Sequence, residues 1–214
     1  MNPSLKALEA LLVNFNSEKS LIAINEISPI ISSDENFLDK VNKLDVAIEK
    51  NADFTGISEY IFDLMMINHL SNFIKDEDYL DSKEWLDIED KTLERGTELM
   101  NMLLYISECR DEEIAPNIDD FLYEFLLVDE DEFQDEHRIY EDLIVNQDLV
   151  EEDVTNILLI SDKIDQDSEI KELFIPFILF FQSYDEKNIS RELYNRLNPT
   201  ERSILGCLLA FINS

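Results

Sequence analysis

Apolar residues recur along this chain at three- and four-residue intervals, the spacing that gathers side chains on one face of an α-helix. Leu5, Leu8, Leu11, Leu12 and Phe15 follow it. Asn2-Pro3 ahead of them offers a capping side chain and a proline where a helix needs no N–H. Leu21, Ile22, Ile24 and Ile27 predict a second helix, broken or kinked near Pro29. Phe37, Val41, Leu44 and Ile48 mark a third after Ser33-Asp34. From about Ile57 to Ile74 the apolar residues cover most of the helical circumference, which predicts a central, buried helix.

The second half continues in the same way. Asp81-Ser82-Lys83-Glu84 has the spacing of a capping box and predicts a helix through about Glu108. Pro116-Asn117 restarts the chain, with Ile118, Phe121, Leu122 and Phe125 on one face. Two further stripes are Phe133, His137, Tyr140 and Ile144, then Val150, Val154, Ile157 and Leu158. The run Leu173–Phe181 is too apolar for a surface and predicts an interior helix, kinked or begun near Pro176. Asn198-Pro199-Thr200-Glu201 is the strongest capping signal and opens a last helix to Phe211.

These patterns predict an all-α fold: an irregular multi-helix bundle of about ten helices, in a single domain over residues 1–214. The C-terminal half has a repeat-like outline. Leu103–Leu143 and Leu158–Leu197 each hold a Leu-rich turn, an acidic loop, a Phe-rich helix and a Tyr-x-x-Leu ending. Composition agrees with helices. Three glycines in 214 residues are too few for sheets joined by tight turns. Cys109 and Cys207 stand apart, the pattern of buried thiols in a reducing compartment. The first residues lack a leader's basic and apolar regions, and no apolar run approaches the roughly 20 residues of a membrane span. A cytoplasmic location without membrane contact is expected.

Charge changes the picture most. The chain holds 49 acidic and 17 basic residues, a formal charge of −32. Within residues 108–153 there are 19 acids and two bases, Arg110 and Arg138, so more than half of the excess lies in that segment. Packing like charges together opposes the compact state. Such a segment is either a solvated face or a docking surface for a basic protein, which opposite charge attracts and orients. The expected contact residues are Asp119, Asp120, Glu124, Asp129, Glu130, Asp131, Glu132, Asp135, Glu136, Glu141 and Asp142. No basic stripe is present to displace counterions from a phosphate backbone, so direct nucleic-acid binding is not expected.

Motifs that carry chemistry are missing. There is no glycine cluster to cradle phosphate and no Gly-x-Ser-x-Gly elbow. His69 and His137 follow Met66 and Gln134 at the position where a carboxylate-bridged di-iron site needs Glu, and both sit among apolar neighbours as core histidines do. Asp129-x-Asp131 and Asp165-x-Asp167-x-Glu169 resemble calcium-loop starts, but Gln134 and Ile170 occupy the position of the turn glycine. Acids around Cys109 disfavour its thiolate, and Trp85 reads as an anchor at the core's edge. No cofactor, metal or catalytic residue is therefore expected. The leading expectation is a non-catalytic binding protein that captures or neutralises a basic protein, in the manner of inhibitors, immunity proteins or DNA mimics. A helical-repeat scaffold or adaptor binding a peptide in an apolar groove is the alternative, and a carboxylate- or metal-dependent hydrolase is third.

Overall fold

Asn2 starts the fold as its position predicts: its side-chain oxygen accepts from the amides of Ser4 (2.9 Å) and Leu5 (3.4 Å), and α1 runs over Pro3–Phe15. The computed structural model describes residues 2–73, 78–125, 139–184 and 194–214. Among them are eleven α-helical elements and no strand. The elements are α1, α2 (Ser20–Ser32), α3 (Phe37–Lys50), α4 (Ser58–Leu70), α5 (Lys83–Thr92), α6 (Leu99–Asp111), α7 (Ile118–Asp120), α8 (Glu141–Val145), α9 (Val154–Ser161), α10 (Lys171–Ser183) and α11 (Pro199–Ile212). The bundle-like, all-helical arrangement agrees with the sequence.

α4 is the centre of its half, buried from Tyr60 to His69 as its largely apolar circumference predicts. α1 presents Ala7, Leu8, Leu11 and Leu12 to the core and packs against α2, α4 and, most extensively, α11. α10 packs on α11 and fills the second half with Phe174, Phe177 and Phe180, all fully buried. The α11 cap is a complete capping box, with Asn198 accepting from the Glu201 amide (2.9 Å) and Glu201 from the Asn198 amide (2.8 Å).

Three expectations need correction. Of the break or kink expected near Pro29, the break does not occur: α2 continues to Ser32. Pro29 and Asn25 are both exposed, so the Asn25 carbonyl that loses its usual donor lies on the water-facing side. The face that α2 buries is Ala23, Ile27 and Ile31, which leaves Leu21 and Ile22 in solvent. Of the kink or start expected near Pro176, the start lies earlier: α10 begins at Lys171, and the carbonyl freed by Pro176 belongs to exposed Glu172 in the first turn. The long helix predicted from Asp81 is two helices, α5 and α6. Its cap is Ser82, which accepts from the Trp85 amide (3.1 Å).

The α5–α6 break has a tertiary cause. Asp63, with no exposed surface in the middle of α4, accepts from the Thr97 amide (3.1 Å) and the Thr97 hydroxyl (2.5 Å). Thr97 then receives the Leu99 amide on its own hydroxyl (3.2 Å) and so starts α6. Burial pushes the Asp63 carboxyl up to about 8, against the lowering effect of the Thr97 hydrogen bonds.

A second buried polar knot joins the N-terminal helices. Lys40 Nζ (3.2 Å) and Asn68 Nδ2 (3.0 Å) both donate to the Ile31 carbonyl at the end of α2, and Asn2 donates to Asn68 (2.6 Å). They occupy a carbonyl that a helix end leaves without an intrahelical donor. His69 is the core histidine its neighbours predicted: it is buried, with Nε2 2.6 Å from the Tyr79 hydroxyl and its ring 4.7 Å from Phe37. Burial, and secondarily Lys40, lowers its pKa to about 4. Trp85 sits half-buried at the core's edge beside Tyr79.

Candidate functional site

The acid-rich segment begins where α6 ends. Glu113 takes a left-handed conformation (φ 58°), and the Ile114 amide turns back to the Cys109 carbonyl (2.9 Å), closing the helix. The Tyr105 hydroxyl holds the following loop, donating to the Asn117 carbonyl (2.9 Å) and accepting from the Asn117 amide (2.8 Å). Asn117 caps α7 by accepting from the Asp119 amide (2.7 Å). A turn of π-helix over Phe121–Phe125 follows.

Both described parts of the segment are fastened to one place in the core. The Phe121 ring meets Tyr140 (6.1 Å, 81°) and Phe177 (6.1 Å, 88°), and Ile118, Leu122, Leu143 and Leu149 are buried around them. The Tyr140 hydroxyl is fully buried, donates to Glu98 and accepts from Asn101 (3.1 Å). Burial first, and the Glu98 carboxylate second, raises its pKa well above the ordinary value. Because Phe121 and Tyr140 touch, Asp119-Asp120 and Glu141-Asp142 flank one shared anchor.

Asp119 and Glu141 are exposed, and Asp120 and Asp142 half-buried. Glu124 lies in the π turn, with its side chain outside the described residues, as are Asp129, Glu130, Asp131, Glu132, Asp135 and Glu136 entirely. The other described acids of the segment are Glu108, Asp111, Glu112, Glu113, Asp148, Glu151, Glu152 and Asp153, all exposed. Among the described residues four ion pairs form: Lys19–Asp53, Lys43–Glu35, Lys91–Asp87 and Arg95–Asp45. All four lie outside residues 108–153. Arg110, the described base within the segment, donates to the Ser214 carbonyl (3.2 Å) and stands over the Phe211 ring (5.6 Å).

Sequence reasoning missed a groove at the C-terminal end of this segment. It is about 420 Å³ in volume and lies between α8, the 3₁₀ turn Gln147–Glu151 and α9. Val145 and Leu159 line it while 72% and 55% exposed. No local signal marked it: adjacent apolar residues on a helix can share one core, as Leu11 and Leu12 do, so sequence alone does not separate Val145 and Leu159 from core residues. The groove wall is fixed from behind by Gln182, which donates to the carbonyls of Val150 (3.3 Å) and Glu152 (2.9 Å).

Other reactive groups are enclosed. Cys109 and Cys207 are free, buried thiols. Burial raises the Cys109 pKa, and Glu108 and Asp120 add to the rise. Asp165 accepts from the Asp167 amide (3.0 Å), a local turn contact. Among the described residues no helix is long and apolar enough to cross a membrane. No protein-family model matches the chain, and no curated protein or solved structure is significantly similar to it.

Proposed function

We propose that this chain is a non-catalytic binding protein that captures a basic protein on the acidic face built from residues 108–153. It would act as inhibitors, immunity proteins and DNA mimics act. One observation carries the reading: Glu108, Asp111, Glu112, Glu113, Asp119, Asp148, Glu151, Glu152 and Asp153 are all exposed, while the four ion pairs between described residues form outside the segment. A field left standing on a surface accelerates and orients encounter with opposite charge. The non-catalytic character belongs to the same proposal. Asp63, His69 and Tyr140 each have hydrogen-bond partners inside the core, which supports structural roles. So does a cytoplasmic site of action, supported by two buried free thiols.

The test is to isolate the partner at low ionic strength and titrate the complex with salt. The proposal expects a basic partner whose affinity falls steeply as salt rises. Joint replacement of Asp119, Asp120, Glu141 and Asp142 by lysine should abolish capture, while lysine at Glu9 and Glu18, exposed and outside the segment, should change it little. A neutral or acidic partner bound equally well at both salt concentrations rejects the proposal.

A further inference from the structure

The groove between α8 and α9 sits at one end of the acidic segment, and its walls differ in character. Val145 and Leu159 are apolar and exposed, with Leu149 and Ile160 beneath and beside them. Singly scattered exposed apolar residues are ordinary on protein surfaces. Here two exposed aliphatic residues line one concavity. On one rim stand Asp148 and Glu152, both exposed, with Glu151 and Asp153 as sequence neighbours. Asn156 donates to Glu152 (2.8 Å), holding that carboxylate at the rim. Lys163 is the single base in the lining.

We propose that this groove receives an apolar side chain from a basic, amphipathic segment of the partner. The inference rests on the acidic-face reading and adds the partner's pattern: an aliphatic residue flanked by lysine or arginine. Charge complementarity selects the occupant. A neutral apolar peptide leaves Asp148 and Glu152 unmatched, and an acidic one is repelled by the whole segment. The apolar side chain supplies the short-range contact that an acidic surface alone lacks, because exposed charge pairs give little net affinity. Lys163 gives the site a direction, since a base beside it is disfavoured while one beside Asp148 and Glu152 is favoured.

Two labelled hexapeptides of equal charge test this against the full chain: Lys-Lys-Leu-Leu-Lys-Lys and the same peptide with serine for leucine. Fluorescence anisotropy at low salt reads their affinities. The leucine peptide should bind about tenfold or more tightly than the serine peptide, the gain expected from burying an aliphatic side chain. Val145→Ser and Leu159→Ser, both at exposed positions, should shrink that ratio towards one. Lys163→Glu should tighten binding of the leucine peptide, a gain that misfolding cannot produce. Equal binding of the two peptides overturns the groove and leaves the acidic face standing. A leucine preference indifferent to Val145, Leu159 and Lys163 also overturns it. Binding of neither peptide rejects the acidic-face reading itself, and the groove with it.

Discussion

Asp63 is a carboxylate without exposed surface on a helix otherwise buried in apolar neighbours, and its hydrogen bonds go to one residue, Thr97. With its pKa raised from 3.8 to about 8, the folded chain holds the proton more tightly than the unfolded one. The stability linked to that proton is complete below the unfolded value. It is lost as pH rises towards and through the folded one, with a slope of up to about 1.4 kcal/mol for each step of one in pH. His69 acts in the opposite sense. Its pKa is lowered from 6.5 to about 4, so its contribution is complete above 6.5 and lost as pH falls through about 4. The two slopes oppose one another between about 4 and 6.5, and Asp63 acts without His69 from there to about 8. Asparagine reproduces the protonated form: its carbonyl accepts from the Thr97 amide and its N–H₂ donates to the Thr97 hydroxyl oxygen, the reverse of the bond that the ionised carboxylate accepts from that hydroxyl. Asp63→Asn should therefore flatten the fall in stability across that upper window and surpass the wild type at its alkaline end. Urea unfolding at several pH values measures this. Parallel decline in both proteins would mean that another group titrates.

At the level of elements, the most extensive contact is between α1 and α11. A Cβ built on Gly206 would stand 2.3 Å from Asn14 Nδ2 and 3.1 Å from Asn14 Cγ. Asn14 has little freedom to yield, since it donates to the Ala10 carbonyl (2.7 Å) and accepts from the Tyr194 hydroxyl. Alanine in a helix is favoured over glycine by about 1 kcal/mol, whereas overpacking destabilises by about 1–3 kcal/mol. Gly206→Ala should thus destabilise the wild type but stabilise an Asn14→Ala background. A double-mutant cycle by urea unfolding reads the reversal, and a stabilised single variant would contradict the packing account. The same pair shows where sequence reading stops. Helix starts at Asn2 and Asn198 were legible because a cap is local, with residue types and spacing both in view. The apolar run of α4 announced its burial for the same reason. The break at Thr97 was not legible, because a carboxylate 34 residues away makes it. Whether Pro29 and Pro176 end their helices was not legible for a related reason: a helix can run through a proline whose freed carbonyl lies on the water-facing side, and exposure is a property of the fold. For the candidate acidic face, composition marked the acid-rich segment on which the proposal rests. It did not reveal the groove, since Val145 and Leu159 become exposed only once their neighbours claim the core.

For the molecule as a whole, two electrostatic contributions compete, and salt separates them. The four described ion pairs have side chains that are each a third to a half exposed or more. Such pairs are worth about 0–1 kcal/mol each, and screening weakens them. Against them stands the self-repulsion of a chain with 49 acids and 17 bases, which screening relieves. The imbalance is large enough that repulsion should win. Raising sodium chloride from ~20 mM to ~500 mM should raise the melting temperature by about 5 °C, since 1 kcal/mol moves a chain of this size by about 2–4 °C. Chloride is the proper anion, because sulfate strengthens apolar burial on its own account. A melting temperature that stays level or falls would mean that attraction between the chain's own charges outweighs repulsion. The same titration weakens the capture proposed for the acidic face, so one variable should move the two observables in opposite directions. A chain that releases its partner at high salt while resisting heat better has not lost binding through unfolding. The charge that strains the folded state would then be the charge that holds the partner.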